Sequence, residues 1–244
     1  MNFLAHYVIA IRFVNPAEPL SVYVVGAALP DLLPLAAERV RLRPARLEQT
    51  TVRTEFEAAL RAGVSVHLAT DAAFHKSAAF AEAQAKVGQI IADAGFEGIR
   101  VRRFFAAHIL TEMVLDAVLL RQEPALADEF YAAFAAADVA AVTQWAEAVT
   151  GEPLPNLPGV LSRFVRSGYL RGYEEDSGVA TGFSNLCRRT GQDMFDGENF
   201  SRLVGVVSRT AARLPPYVSA LLSETTAGIL PSKQEERDAA ANAA

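Results

Sequence analysis

His67-Leu68-Ala69-Thr70-Asp71-Ala72-Ala73-Phe74-His75 puts three ionisable side chains at i, i+4 and i+8, with mostly apolar residues between them. His108-Ile109-Leu110-Thr111-Glu112-Met113-Val114-Leu115-Asp116 repeats the spacing with a histidine and two carboxylates. In an α-helix each four-residue step turns about 40° past a full turn, so each trio shares one face. The neighbours on those faces are apolar, which points the trios into the protein. The rest of the chain reads the same way. Alanine is abundant, apolar positions recur every three or four residues, and β-branched residues rarely alternate with polar ones. The expected fold class is all-α, a multi-helix bundle.

Composition narrows the function classes. The chain has 244 residues, 51% of them hydrophobic, and a net charge of -5. That is enough apolar material for a packed core, and it excludes wholesale disorder. A negative balance argues against general nucleic-acid binding, which needs clustered positive charge. With Cys187 as the single cysteine there is no disulfide framework and no cysteine-based zinc site; it reads as a core thiol. The apolar opening to Arg12 lacks a cationic leader and is interrupted by His6, and the run Leu20 to Leu29 falls short of the ~20 residues of a spanning helix. No transmembrane segment and a cytoplasmic location are expected.

Local signals predict helices at 2–13, 19–28, 52–62, 64–77, 78–94 and 101–121, with Pro30, Gly63 and Gly95 as breaks and an exposed arginine-rich loop at 39–46. Further helices are predicted at 124–136, 138–149, 158–173, 178–190, 200–214 and 216–229. A single domain over 1–230 is expected, with a metal-site half at about 1–122, a helical C-terminal half at about 123–230, and a disordered tail at 231–244. Gly151 to Asn156 is the best internal break. The Ala-rich helices leave oligomerisation open.

All four histidines, His6, His67, His75 and His108, fall in the first half, mostly within apolar runs. Charged side chains are rarely buried unless paired or metal-bound, because desolvation costs several kcal/mol. Taken singly, His6 reads as a hydrogen-bonded core histidine, Asp31 as a helix cap and Asp116 as half of a salt bridge. Taken together with the two trios they read as one site for a divalent metal. Its ligand set is His6, Asp31, His67, Asp71, His75, His108, Glu112 and Asp116, with His67, Asp71, His108 and Asp31 at its centre. Imidazole with carboxylate suits Zn, Mn, Fe or Ni. Arg100, Arg102 and Arg103 precede the His108 run, and Arg102 and Arg103 are candidates for binding substrate phosphate. The interleaved Arg163 to Tyr173 stretch offers another basic surface, and Arg188-Arg189 a weaker one.

The opening Met1-Asn2-Phe3-Leu4-Ala5-His6, the Gly26-Ala-Ala-Leu-Pro-Asp31 segment and the Gly63-Val-Ser-Val-His67-x3-Asp71-x2-Phe74-His75 segment resemble the acyl carrier protein phosphodiesterase family. The resemblance spans about the first 120 residues. It implies an all-α fold related to HD-domain phosphohydrolases, and a divalent metal that helps remove phosphopantetheine from acyl carrier protein. Leu68 and Ala69 replace the basic residues that follow the first motif histidine in that family. The order Asp31, His67-x3-Asp71-x3-His75 and His108-x3-Glu112 is also similar to zinc-dependent phospholipase C and related nucleases. The histidine expected between Asp31 and His67 is missing, so the resemblance implies one or two ions here, not three.

The expected function is metal-dependent hydrolysis of a phosphoric ester, most simply a phosphodiester, by a metal-activated water. Asp71 and Glu112 are the candidate catalytic carboxylates. The expected partner is a phosphoester substrate such as acyl carrier protein or a phospholipid-like molecule, with no nucleic acid. The alternative is a non-catalytic helical binding protein that keeps the fold and the metal. A di-iron oxidative protein fits less well, because its paired Glu-x-x-His motifs use three-residue registers.

Overall fold

Thr54 opens the longest helix among the described residues. Its hydroxyl accepts a hydrogen bond from the Glu57 amide at 3.1 Å, and the Glu57 carboxylate accepts one from the Arg53 amide at 2.6 Å. Glu55 and Glu57 also put negative charge at the positive end of the helix. It runs Glu55–Lys76 and stops at Ser77, whose hydroxyl caps the next helix by accepting from the Phe80 amide.

The computed structural model describes residues 2–15 and 17–229, and all regular structure among them is helical. In chain order the helices are α1 (Phe3–Ala10), α2 (Leu20–Ala36), α3 (Pro44–Gln49), α4 (Glu55–Lys76), α5 (Ala78–Ala92) and α6 (Arg103–Gln122). They continue as α7 (Leu126–Ala135), α8 (Val139–Thr150), α9 (Leu157–Ser167), a 3-10 segment Tyr169–Glu174, α10 (Asp176–Arg189), α11 (Gly197–Arg213) and α12 (Pro215–Ile229). The architecture is a multi-helix bundle. No helix among the described residues is long and apolar enough to cross a membrane. The tail expected at 231–244 lies outside the described residues.

The tightest packing is between α2 and α4. A methyl group added at Gly26 would meet the Leu60 carbonyl oxygen at 2.5 Å, and one added at Gly63 would meet the Ala27 amide nitrogen at 2.7 Å. The two backbones therefore touch where glycine removes the side chain from each. The expected helix break at Gly63 is corrected accordingly: α4 runs straight through it, and the residue serves close approach rather than a turn.

The expected stop at Pro30 is corrected too, since α2 continues through Pro30 and Pro34 to Ala36. An interior proline costs about 3 kcal/mol. Burial of Val24, Val25, Leu29, Leu32 and Leu33 on the same helix returns ~1.5–3 kcal/mol each, so packing wins. Other boundaries differ for local reasons. Pro44, expected inside a loop, starts α3 at a position where proline needs no amide partner. The helix expected over 158–173 is divided at Gly168, whose φ of 54° ends α9 and begins the 3-10 segment. The first helix stops at Ala10 rather than Phe13.

Helix α6 lies deep in the bundle, with thirteen buried residues, and it anchors α1. Asp116, fully buried, accepts from the Leu4 amide at 2.9 Å and the Ala5 amide at 2.8 Å. These are orphan donors in the first turn of α1, and no side chain of α1 itself caps them. The C-terminal half folds back over this frame. Phe164 of α9 packs on Phe3 of α1 at 5.0 Å between ring centroids, α11 packs on α5 and α6, and α12 packs on α4.

Candidate metal centre

Four helices converge at one place: α1 carries His6, α2 carries Asp31, α4 carries His67, Asp71 and His75, and α6 carries His108 and Glu112. The two sequence trios face each other, and their ligand atoms fall into two groups. His6, His67 and Asp71 form one and His75, His108 and Glu112 the other, with all ligand atoms in each group within 4.8 Å of one another. Ligands at metal–nitrogen distances of about 2.0–2.1 Å can converge from such separations with small side-chain adjustments. Two groups among the described residues can therefore hold a metal ion.

The two histidines of the first group are deeply buried, and its carboxylate is not. The His6 and His67 side chains are each 3% exposed, and their rings stack at 3.9 Å between centroids. The crossing of α2 and α4 at Gly26 and Gly63 brings His67 Nδ1 to 2.7 Å from the Ala27 carbonyl oxygen, which it meets as a donor. In the neutral ring that bond fixes the tautomer and leaves Nε2 as a bare lone pair. Nε2 faces Asp31 Oδ1 at 3.7 Å. His6 Nε2 lies 3.5 Å from Asp71 Oδ1, yet neither ring nitrogen of His6 makes a hydrogen bond among the described residues. Burial, with His67 adding to it, holds the His6 imidazole well below its ordinary pKa and keeps it neutral. Burial also raises the Asp31 carboxyl, an effect His67 opposes.

The second group is more open and already hydrogen-bonded. His75 Nε2 and His108 Nε2 reach the same Glu112 oxygen at 3.0 and 3.1 Å, and the two rings stack at 4.9 Å. Burial alone would raise the Glu112 carboxyl, but the bonds from His108 and His75 help to hold it well below the usual range. Asp71 adjoins both groups, with Oδ1 3.9 Å from His75 Nδ1 as well as 3.5 Å from His6 Nε2. Burial disfavours its charge, but the His6 contact helps to keep the carboxyl depressed.

Asp31, Asp71, His75, His108 and Glu112 open onto a cavity of about 860 Å³. Its other wall comes from the C-terminal half, through Tyr169, Tyr173, Ser177, Thr181, Asn185 and Arg189, with Leu35, Ile109 and Met113 as apolar lining. The size suits a small organic ligand.

Seven of the eight predicted ligands therefore come together. Asp116 stands apart, with both carboxylate oxygens taken up by the start of α1. Arg102 and Arg103 are exposed and do not line the cavity. In the Arg163 to Tyr173 stretch, Arg171 pairs with Asp128 at 2.6 Å and stacks over Tyr131. Cys187 is buried, which pushes its thiol up to about 11. Of the polar wall of α10, sequence reasoning named only Arg189, as part of a weak basic surface, and missed the rest. Its signal was there, since Ser177, Thr181, Asn185 and Arg189 are spaced four apart, but such a stripe reads like any solvated helix face.

Comparison of the chain with protein-family models, curated proteins and solved structures finds no match.

Proposed function

We propose that this chain is a metal-dependent phosphoric ester hydrolase, most simply a phosphodiesterase, with a helical fold of the HD-domain and phospholipase C kind. The observation that carries the metal is His6. A buried imidazole with two unbonded nitrogens costs about 1–3 kcal/mol per missing bond, and a metal ion meeting Nε2 beside His67 Nε2 and Asp71 removes one of those two costs. The observation behind the hydrolase is the motif set around Asp31, His67, Asp71 and His75, which resembles the acyl carrier protein phosphodiesterases.

His6, His67 and Asp71, with Asp31 beside them, would hold one divalent ion (Zn, Mn, Fe or Ni), and His75, His108 and Glu112 a second. A divalent ion in such a site supplies hydroxide near neutral pH and polarises a phosphoryl oxygen. Asp71 lies between the two groups and opens to the cavity, where its carboxylate can orient a water and take its proton. Glu112, held ionised by two imidazoles, fixes their ring orientation. Phosphopantetheine-bearing acyl carrier protein and phospholipid-like diesters are the substrates to try first.

Turnover of bis(p-nitrophenyl) phosphate after loading with each of the four metals tests this. Activity in the wild type that falls at least 100-fold in His67→Ala and His108→Ala supports hydrolysis. Unchanged turnover in both variants contradicts it.

A second reading has an observation of its own: His75, Glu112 and His108 satisfy one another without any ion. On that reading the protein is a helical binding module with a single metal at His6, His67 and Asp71. One tightly bound equivalent without hydrolysis of any phosphoester would favour it.

A further inference from the structure

Helices α6 and α10 run antiparallel, and two contacts fix their register. At one end Arg121 Nη2 of α6 pairs with Asp176 Oδ1 of α10 at 2.7 Å. Nearer the middle the two pack so closely that a methyl group added at Gly182 would meet Met113 Cε at 2.9 Å. One turn back along α6 from Met113 are His108 and Ile109. The antiparallel register brings the last turn of α10 to that level, and Ile109 and Leu186 both line the cavity. Asn185 and Arg189 are the polar residues of that turn on the cavity wall.

Arg189 is the only arginine or lysine among the described residues lining the cavity, which also holds Asp31, Asp71 and Glu112. Two other arginines of the C-terminal half are already engaged in ion pairs. Arg171 pairs with Asp128, and Arg202 with Glu97 and Glu198. Arg189 makes no ion pair or hydrogen bond among the described residues. Beside it, Asn185 Oδ1 accepts from Arg188 Nη2 at 3.2 Å, which leaves the Asn185 Nδ2 hydrogens as donors.

We propose that Arg189 and Asn185 bind the non-bridging oxygens of the substrate's phosphate, from the α10 wall of the cavity that His108 and Glu112 also line. This rests on the phosphoester reading above and deepens it. A guanidinium offers paired N–H donors at phosphate spacing, and its charge favours anionic phosphoesters over neutral esters of the same alcohol. The C-terminal half thereby completes the site, and the anion-binding role expected of Arg102 and Arg103 moves to α10. Arg189 ends its helix, where a cation also interacts favourably with the helix dipole. That role alone would leave phosphate binding unchanged on substitution.

The test is calorimetric titration of inorganic phosphate into metal-loaded wild type, Arg189→Gln, Arg189→Lys and the exposed control Arg209→Gln, with metal content and thermal midpoint measured on each. The expected result is a 10- to 100-fold loss of phosphate affinity in Arg189→Gln at unchanged metal content and midpoint. Arg189→Lys should recover part of it, and Arg209→Gln should match the wild type. Wild-type affinity in Arg189→Gln, or no phosphate binding by the wild type, overturns the proposal. If phosphate binds through Arg189 but no phosphoester is hydrolysed, the hydrolase reading fails while this one stands. If phosphoesters are hydrolysed equally well by Arg189→Gln, this one fails while the hydrolase reading stands.

Discussion

At the scale of single residues, His6 and Asp116 show how one buried polar group can carry function and another structure. His6 has neutral nitrogens with no hydrogen-bond partner among the described residues, so a metal-free protein bears the cost of its burial. His6→Leu removes that cost together with a ligand. In chelator-treated protein the variant should be as stable as the wild type, or up to about 2 kcal/mol more stable in urea unfolding. In metal-loaded protein the order should reverse. Equal destabilisation in both forms would make His6 an ordinary core residue. Asp116 does the opposite job, since Asp116→Ala strands two buried amides and should cost about 2–4 kcal/mol. Burial, opposed by the Leu4 and Ala5 amides, raises its carboxyl to about 7. The folded state therefore holds a proton that the unfolded state releases near the ordinary value of 3.8. Between those two pH values the folded state binds more protons, so the contribution of Asp116 to stability falls as pH rises. Measured against the non-titrating Asp116→Asn, wild-type stability should decline from about pH 4 to about pH 7 and then level off. A difference that grows with pH would contradict this assignment.

At the scale of helices, the readable and unreadable parts of the sequence separate by physical cause. The four-residue spacing of His67, Asp71 and His75, and of His108 and Glu112, is a local geometric fact that any helix preserves, so the facing of α4 and α6 was legible. Gly63 and Pro30 were read as breaks because each weakens a helix taken alone. What overrides them is the contact of α2 with α4, and residues 26 and 63 are too far apart in sequence for local patterns to reveal it. The same contact sets the metal site, because it carries His67 to the Ala27 carbonyl. Gly63→Ala should therefore be a sharp test. In an exposed helix interior that change stabilises by roughly 1 kcal/mol. Here the new methyl group meets the α2 backbone and should destabilise by about 2 kcal/mol or more, with weakened metal binding. A stabilised variant with normal metal content would show that the two helices do not touch as described. Asp116 was misassigned for a related reason, since its partners lie more than a hundred residues away in α1.

At the scale of the whole molecule, the two halves of the chain share the cavity: the first supplies the histidines and carboxylates, the second the polar wall with Arg189. Three carboxylates around one cavity would repel an anionic substrate, and divalent ions reverse that balance. Chelation should accordingly lower the thermal midpoint and abolish phosphate binding together. The all-helical class could be read from the sequence because helix periodicity is local. The wall could not, because Ser177, Thr181, Asn185 and Arg189 become a surface of the site only through the packing of α10 against α6. The central claim is that His6, His67 and Asp71 bind a divalent ion, and elemental analysis of protein purified without added metal tests it most directly, with His67→Ala alongside. One to two equivalents of Zn, Mn, Fe or Ni in the wild type and a loss of at least one in the variant are predicted. No metal in the wild type, even after reconstitution with each of the four, would contradict the claim.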